Sequence, residues 1–362
     1  MTTDVATPDV VSPRLPEFPV GWYDTITATR TPEKVSREGV NILLPYIINT
    51  NYERISNYLD AAEKAGVKVV LDIYRSIVQN EDTDAAIEFI RTFKEHPALF
   101  GWYLYDEPEI HGVSAKKLKT IYETIKTEDP IHPVVLATTQ PARVSGDYKE
   151  VLDIVLYPLY PILYNSEEFT NLNNLNFKSI LERYAPLAIN NGKEFWFVLQ
   201  GMGKQPQREE SSKNWRLPTK AEERYMLYTA RLAGSQGFLF FSHYRSNQSW
   251  INSVLTPIIQ EFNNYIGAIH STLVVKKAPT DRDDVEVGVY QSRQTGNYVL
   301  VGIHHALGNV DVNITMKELA SMALVRVWGE NRSFIALGGS FKDNFGDYAV
   351  HIYEIRTLTN SR

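Results

Sequence analysis

The sequence predicts an α/β fold, a TIM (β/α)8 barrel followed by a small antiparallel β-sandwich. Three observations predict it. Short apolar runs alternate with helix-period stretches eight times over roughly the first 265 residues, the repeat a barrel requires. Several runs are almost wholly apolar, Val67-Lys68-Val69-Val70-Leu71 and Phe238-Leu239-Phe240-Phe241 among them, as in strands buried on both faces. Beyond about Ser271 the period drops to two and Gly, Asn and Asp turns recur. A doubly wound open sheet is the competing architecture, but neither Gly-x-Gly-x-x-Gly nor a Walker sequence occurs.

Residues 1–18 read as an extended arm. They carry Pro8, Pro13 and Pro16 with Asp4, Asp9, Arg14 and Glu17. They lack the basic start and the apolar stretch of about 7–15 residues that define a signal peptide. The expectation is therefore a cytoplasmic protein by default, or a mature secreted form. No apolar run approaches the roughly 20 residues of a membrane helix, so no membrane partner is expected.

The barrel is placed at 19–270. Its strand signals are Val20–Asp24, Asn41–Ile48, Lys68–Arg75, Phe100–Asp106, Pro133–Thr139, Asp153–Tyr160, Glu194–Gly201 and Gly237–Arg245. Between them, Tyr52–Ala65 gathers Ile55, Tyr58, Leu59 and Ala62 on one face and stops at Gly66. Asp84–Glu95 groups Ile87, Ile90 and Phe93 ahead of Pro97, and Ser114–Thr127 opens on a capping serine. Thr219–Ser235 opens with Thr-Lys-Ala-Glu, a capping-box pattern. The sandwich is placed at 271–362. Its strands are read at Val285–Tyr290, Tyr298–Ile303, Val310–Ile314, Ala323–Trp328 and Tyr348–Ile355.

Composition excludes several functions. A net charge of −6 argues against nucleic acid as a partner, because phosphate binding needs a basic surface. Zero Cys removes disulfides, thiolate nucleophiles and Cys-ligated metal centres. The eight His residues form neither His-Glu-x-x-His nor His-x-His, and His304-His305 falls on a sandwich strand with its two side chains on opposite faces. Asp281, Asp283 and Asp284 read as a solvated turn. No metal and no cofactor are expected. Aromatic residues reach 12%, with 21 Tyr and 6 Trp, which suits stacking on sugar or base faces as well as it suits core packing.

In a barrel the reactive groups gather at the C-terminal ends of the strands. The fourth run ends Trp102-Tyr103-Leu104-Tyr105-Asp106-Glu107-Pro108-Glu109, three carboxylates in four residues beside aromatic rings. Burying them is costly and raises their pKa values, unless they simply open the next loop. Trp22-Tyr23-Asp24, Tyr46, Tyr74-Arg75, Tyr157 with Tyr160, Gln200 and His243-Tyr244-Arg245 end other strands. Each alone reads readily as packing. Together they place polar-tipped rings and guanidinium groups on one rim, where they would hold hydroxyls and stack on a pyranose. Trp215 stands in the long polar loop 201–218, which reads as a lid or subsite wall.

A strand ending in an aromatic residue and Asp-Glu-Pro resembles strand four of barrel glycoside hydrolases. The stretch Pro218–Arg224 through Gly237–Phe241 is similar to the helix and last strand of the same enzymes, many of which carry a C-terminal β-sandwich. The resemblance implies Glu107 as general acid/base and Asp106 as its neighbour, acting on an oligo- or polysaccharide. It departs at strand seven. There the retaining pattern has a nucleophilic Glu, whereas this strand ends Val198-Leu199-Gln200, and an amide cannot form the glycosyl ester. Two courses remain. In substrate-assisted hexosaminidases with an adjacent Asp-Glu pair, the Asp orients the sugar's acetamido group, and Tyr157 or Tyr160 would bond its oxygen. In inversion a second carboxylate, Asp24, Asp72, Glu209 or Glu210, would activate water. The substrate-binding set is Trp22, Tyr46, Arg75, Tyr157, Tyr160, Gln200, Trp215, His243 and Tyr244. A non-catalytic carbohydrate-binding barrel and a polysaccharide lyase using Tyr and Arg are the alternatives. If Glu107 is the acid, it should carry a raised pKa among Trp102, Tyr105, Asp106 and Glu109.

Overall fold

Strands buried on both faces need helices on the outside and each other on the inside, and closure into a barrel satisfies both demands. The computed structural model describes residues 18–26, 32–204, 214–265, 276–291, 297–317 and 322–357. The arm 1–17, the boundary near 270 and the middle of the 201–218 loop with Glu209 and Glu210 lie outside the described residues. Phe18, read as the last residue of the arm, is buried with its ring 5.3 Å from Phe238 and 5.0 Å from Phe262.

Eight parallel strands close in sequence order: β1 (Val20–Thr25), β2 (Ile42–Tyr46), β3 (Lys68–Asp72), β4 (Leu99–Asp106), β5 (Val134–Ala137), β6 (Ile154–Pro158), β7 (Glu194–Gln200) and β8 (Gly237–Phe241). β8 pairs back onto β1. Tyr23, Leu44, Val70, Val135, Leu156, Val198 and Leu239 fill the interior. Their neighbours Trp22, Leu43, Val69, Val155 and Phe197 pack outward among the helices. The expected helices form at Tyr52–Lys64, Thr83–Phe93, Ala115–Glu128 and Lys220–Leu232, capped by the side chains of Asn51, Asp82, Ser114 and Thr219. Thr219 and Glu222 complete the capping box. The third strand is shorter than its sequence signal, because Arg75–Asn80 turns into a helix over the rim.

β4 departs from simple alternation. Its register shifts against β3 between Val69 and Val70, and against β5 between Tyr103 and Tyr105. Phe100 and Tyr103 therefore face the interior, while Trp102, Leu104 and Tyr105 face the helices. Gly101 permits the first shift: a Cβ there would lie 2.6 Å from the Pro133 carbonyl oxygen.

The C-terminal domain is an antiparallel sheet of β9 (Lys276–Lys277), β10 (Val285–Gln291), β11 (Tyr298–His304), β12 (Val310–Thr315), β13 (Met322–Val327), β14 (Ser333–Leu337), β15 (Ser340–Phe345) and β16 (Val350–Thr357). Its order is β12-β15-β14-β13-β16-β11-β10-β9, and a bridge between Thr280 and Ile314 brings its two ends together over a separate core. The hairpin β14–β15 escaped the sequence reading, although Gly338-Gly339, with φ of +57° and +81°, is a hairpin turn signal. On the other side, Tyr290, Val301 and Ile352 join the barrel's outer core. Gly288 lets β10 approach the helix Lys220–Leu232, since a Cβ there would meet Leu232 Cδ2 at 2.2 Å.

Candidate active site

The interior faces of β1, β2 and β4 converge on Asp106. Its Oδ1 accepts a hydrogen bond from the Tyr103 hydroxyl at 2.7 Å, and its Oδ2 accepts one from Tyr46 at 2.8 Å. The Arg75 guanidinium stands 3.4 Å from Oδ2. The Tyr23 hydroxyl lies 3.2 Å from that of Tyr103. Burial, then the charge of Asp106, pushes Tyr23, Tyr46 and Tyr103 well above the ordinary phenol value, so all three remain neutral donors.

Glu107 follows at the C-terminal tip of the strand. Its φ of +48° is left-handed, which non-glycine residues seldom adopt and which carries a conformational cost. Its N–H donates to the Ala137 carbonyl and its own carbonyl accepts from Ile110, so β5 and the following turn hold it. Burial first, then the charges of Asp106 and Glu109, push its carboxyl up to about 7. Glu109 is tied down separately, accepting from the Thr138 hydroxyl at 2.8 Å and from the Thr139 N–H at 2.7 Å. Trp102 does not stand beside Glu107 as expected. The first register shift in β4 turns it outward, where its Nε1 donates to Asp129 at 2.8 Å and its ring meets Phe89. Tyr105 also faces outward, with its hydroxyl accepting from Gln79.

Two further carboxylates end strands of the same rim. Asp72, at the end of β3, is buried and accepts from the Ile47 N–H at 3.3 Å. Burial, with a further push from Asp106, moves it up to about 8. Asp24 on β1 is 1% exposed. The opposite wall is aromatic. Tyr160 stacks on Phe241 at 5.5 Å and 20°, Tyr244 meets Phe241 at 6.5 Å, and Arg245 lies over both rings at 5.2 and 5.4 Å. Burial, with Tyr23, Asp106 and Glu107 adding to it, raises the Tyr160 phenol, which marks these groups as one electrostatic neighbourhood. Trp215 joins this wall by donating from Nε1 to the Tyr160 carbonyl at 3.1 Å.

The structure thus gathers Asp106, Glu107, Tyr46, Arg75, Tyr160 and Tyr244 at one mouth. Four other residues named from the sequence lie elsewhere. Trp22 points outward against Phe240 and His243. Tyr157 also points outward, into the rings of Tyr184 and Phe195. His243 is buried, with Nε2 3.0 Å from the Glu38 carboxylate. Gln200 is fully buried and its amide is spent on the main chain. Its Oε1 accepts from Ile162 N–H, while Nε2 donates to the carbonyls of Ile162, Met202 and Arg216. Tyr103 is the residue at the mouth that sequence reasoning missed. Strict alternation along β4 turns it away from Asp106, and no sequence signal marks the register shift.

Among the described residues, the cluster with metal-like spacing is Asp60, Glu63 and His96, at the N-terminal end of the strands. There His96 Nδ1 accepts the Ala98 N–H at 3.1 Å, which leaves Nε2 to donate to Asp60 at 3.2 Å. This is a hydrogen-bonded pair whose tautomer does not suit a cation.

No family model matches the chain, and no curated protein matches it. Solved structures do match. A GH27 β-L-arabinopyranosidase from Geobacillus stearothermophilus is 12% identical with a TM-score of 0.61, over 95% of this chain and 97% of that one. A family 5 glycoside hydrolase from Bacteroides vulgatus is 11% identical with a TM-score of 0.61, over 94% and 89%. An Anoxybacillus α-amylase is 10% identical with a TM-score of 0.60, over 95% and 99%. At such identities the likeness is one of fold. The chain has the architecture of barrel glycoside hydrolases that carry a C-terminal sheet domain.

Proposed function

We propose that the protein is a glycoside hydrolase acting on an oligo- or polysaccharide, with Glu107 as the general acid. The observation that carries this reading is the position and acidity of Glu107. A carboxyl at the C-terminal end of β4, pushed up to about 7, still holds its proton near neutrality, as a donor to a glycosidic oxygen must. The walls of the mouth, Tyr46, Arg75, Tyr160 and Tyr244, supply rings and hydroxyls for a pyranose.

Simple double displacement is disfavoured, because β7 ends in Gln200, a buried amide that cannot form a glycosyl ester. Inversion needs an ionised base across the sugar, and burial pushes Asp72, one of the four carboxylates named for that role, up to about 8, which disfavours it as that base near neutrality. Substrate assistance is therefore preferred. Glu107 gives its proton to the leaving oxygen as the C1–O bond breaks. The acetamido oxygen of the same sugar forms a bond to C1, and Asp106 accepts the hydrogen bond of the acetamido N–H. Water then gives a proton to the Glu107 carboxylate and attacks C1, which breaks the bond from C1 to the acetamido oxygen and restores the acetamido group, with net retention.

A panel of aryl glycosides with and without a 2-acetamido group, assayed with wild type and Glu107→Gln, tests the reading. Hydrolysis confined to 2-acetamido sugars, with the retained anomer seen by NMR, is the expected result. An inverted product replaces assistance by inversion. Covalent labelling of a side-chain carboxylate by a fluorosugar overturns both, and the absence of any hydrolysis leaves a carbohydrate-binding barrel.

A further inference from the structure

A regular strand cannot place residues i and i+3 on the same face, yet Tyr103 and Asp106 share a 2.7 Å hydrogen bond inside the barrel. The register shift between Tyr103 and Tyr105 makes this possible. We infer that Tyr103, backed by Tyr23, is a positioning residue that locks the orientation of the Asp106 carboxylate. The inference rests on the proposed role of Asp106 in orienting the substrate.

The Tyr103 hydroxyl donates its one proton to Asp106 Oδ1. The Tyr103 oxygen is then free to accept, and Tyr23, 3.2 Å away, must be its donor. Tyr46 and Arg75 approach Oδ2. Oδ1 therefore depends on Tyr103, whereas Oδ2 has a donor for each of its two lone pairs. Both Tyr23 and Tyr103 are buried, at 2% and 0% exposure, so no water replaces the missing donor cheaply. With three donors arranged on four lone-pair sites, the carboxylate keeps room for one more hydrogen bond, in a fixed direction. That is the geometry needed to hold one substrate N–H.

The test is Tyr103→Phe, which keeps the ring and removes only the hydroxyl. With a 2-acetamido glycoside, kcat should fall about 10-fold or more while KM stays within about twofold, since the loss is one of orientation. In an Asp106→Asn background the same substitution should change kcat less than about twofold, because the group it positions is gone. Tyr23→Phe should give a smaller loss in the same direction. A crystal structure of Tyr103→Phe should show Asp106 turned from its wild-type rotamer or split between two. Equal losses in both backgrounds, or an Asp106 unmoved in that crystal structure, overturn the inference. If the wild type cleaves no glycoside, the proposed activity falls, and the position of Asp106 in the variant crystal structure still decides the role of Tyr103.

Discussion

β4 and β7 both end in a polar residue at the same rim, and the two ends are used in opposite ways. At β4 the Asp106 carboxylate meets other side chains, two phenols and a guanidinium. Its neighbour Glu107 is left with a carboxyl that retains its proton near neutrality. At β7 the Gln200 amide meets only main chain and ties the segments around 162, 202 and 216 together. A polar residue at a barrel strand end thus faces the mouth or braces the main chain, depending on whether main-chain donors and acceptors reach it first. The neutral amide suits a brace, since satisfying it costs no buried charge. The paired carboxylates stay at the mouth, where a substrate can share their burial.

The contrast can be broken most directly at Glu107. Glu107→Gln should lower the hydrolytic rate by at least about 10²-fold, the usual scale for loss of a general acid, as measured by steady-state kinetics. Wild-type kcat/KM should also decline as the pH rises through about 7, where the donor loses its proton, and any residual activity of the variant should lose that limb. At β7 the expected damage is to stability. Gln200→Leu strands four main-chain groups and should cost about 2–4 kcal/mol, read as a fall of several degrees in Tm. Gln200→Glu should likewise lower Tm and should not produce fluorosugar labelling at that position.

A smaller effect separates acidity from packing. Glu107 takes up its proton in the folded state between its ordinary value of 4.5 and about 7. Its contribution to stability is therefore complete below that window and is lost as the pH rises through it. Glu107→Gln should accordingly gain on the wild type in Tm between pH 5 and pH 8, by a few degrees at most. Smallest of all is Tyr157→Phe. Its ring lies among outward-facing residues, so KM should change less than about twofold, whereas a marked rise in KM would place the hydroxyl at the mouth.

Much of the architecture was legible because it is written in local periodicity. Eight apolar runs, four well-capped helices and the change to period two need no distant partner to be recognised. Asp106 and Glu107 were equally legible, since a strand end that breaks from aromatic residues into carboxylates shows in six consecutive residues. The residues expected to bind substrate were less so. Tyr46 and Tyr160 face the mouth and Trp22 and Tyr157 do not, although all four are aromatic residues in or near strand ends.

The sequence by itself determined the strand–helix repeat, the caps and the adjacent carboxylates at the end of the fourth strand, all of which rest on residues close along the chain. Tertiary structure alone decided which of those residues meet. Asp106 receives Tyr46 from 60 positions away, Gln200 is claimed by Ile162 from 38 away, and His243 finds Glu38 across 205. It also decided the two register shifts in β4, which turn Trp102 out and Tyr103 in. Periodicity sets the face of a side chain only while the ladder is regular. Where a bulge breaks the ladder, neighbouring strands set the face, and they come from other parts of the chain.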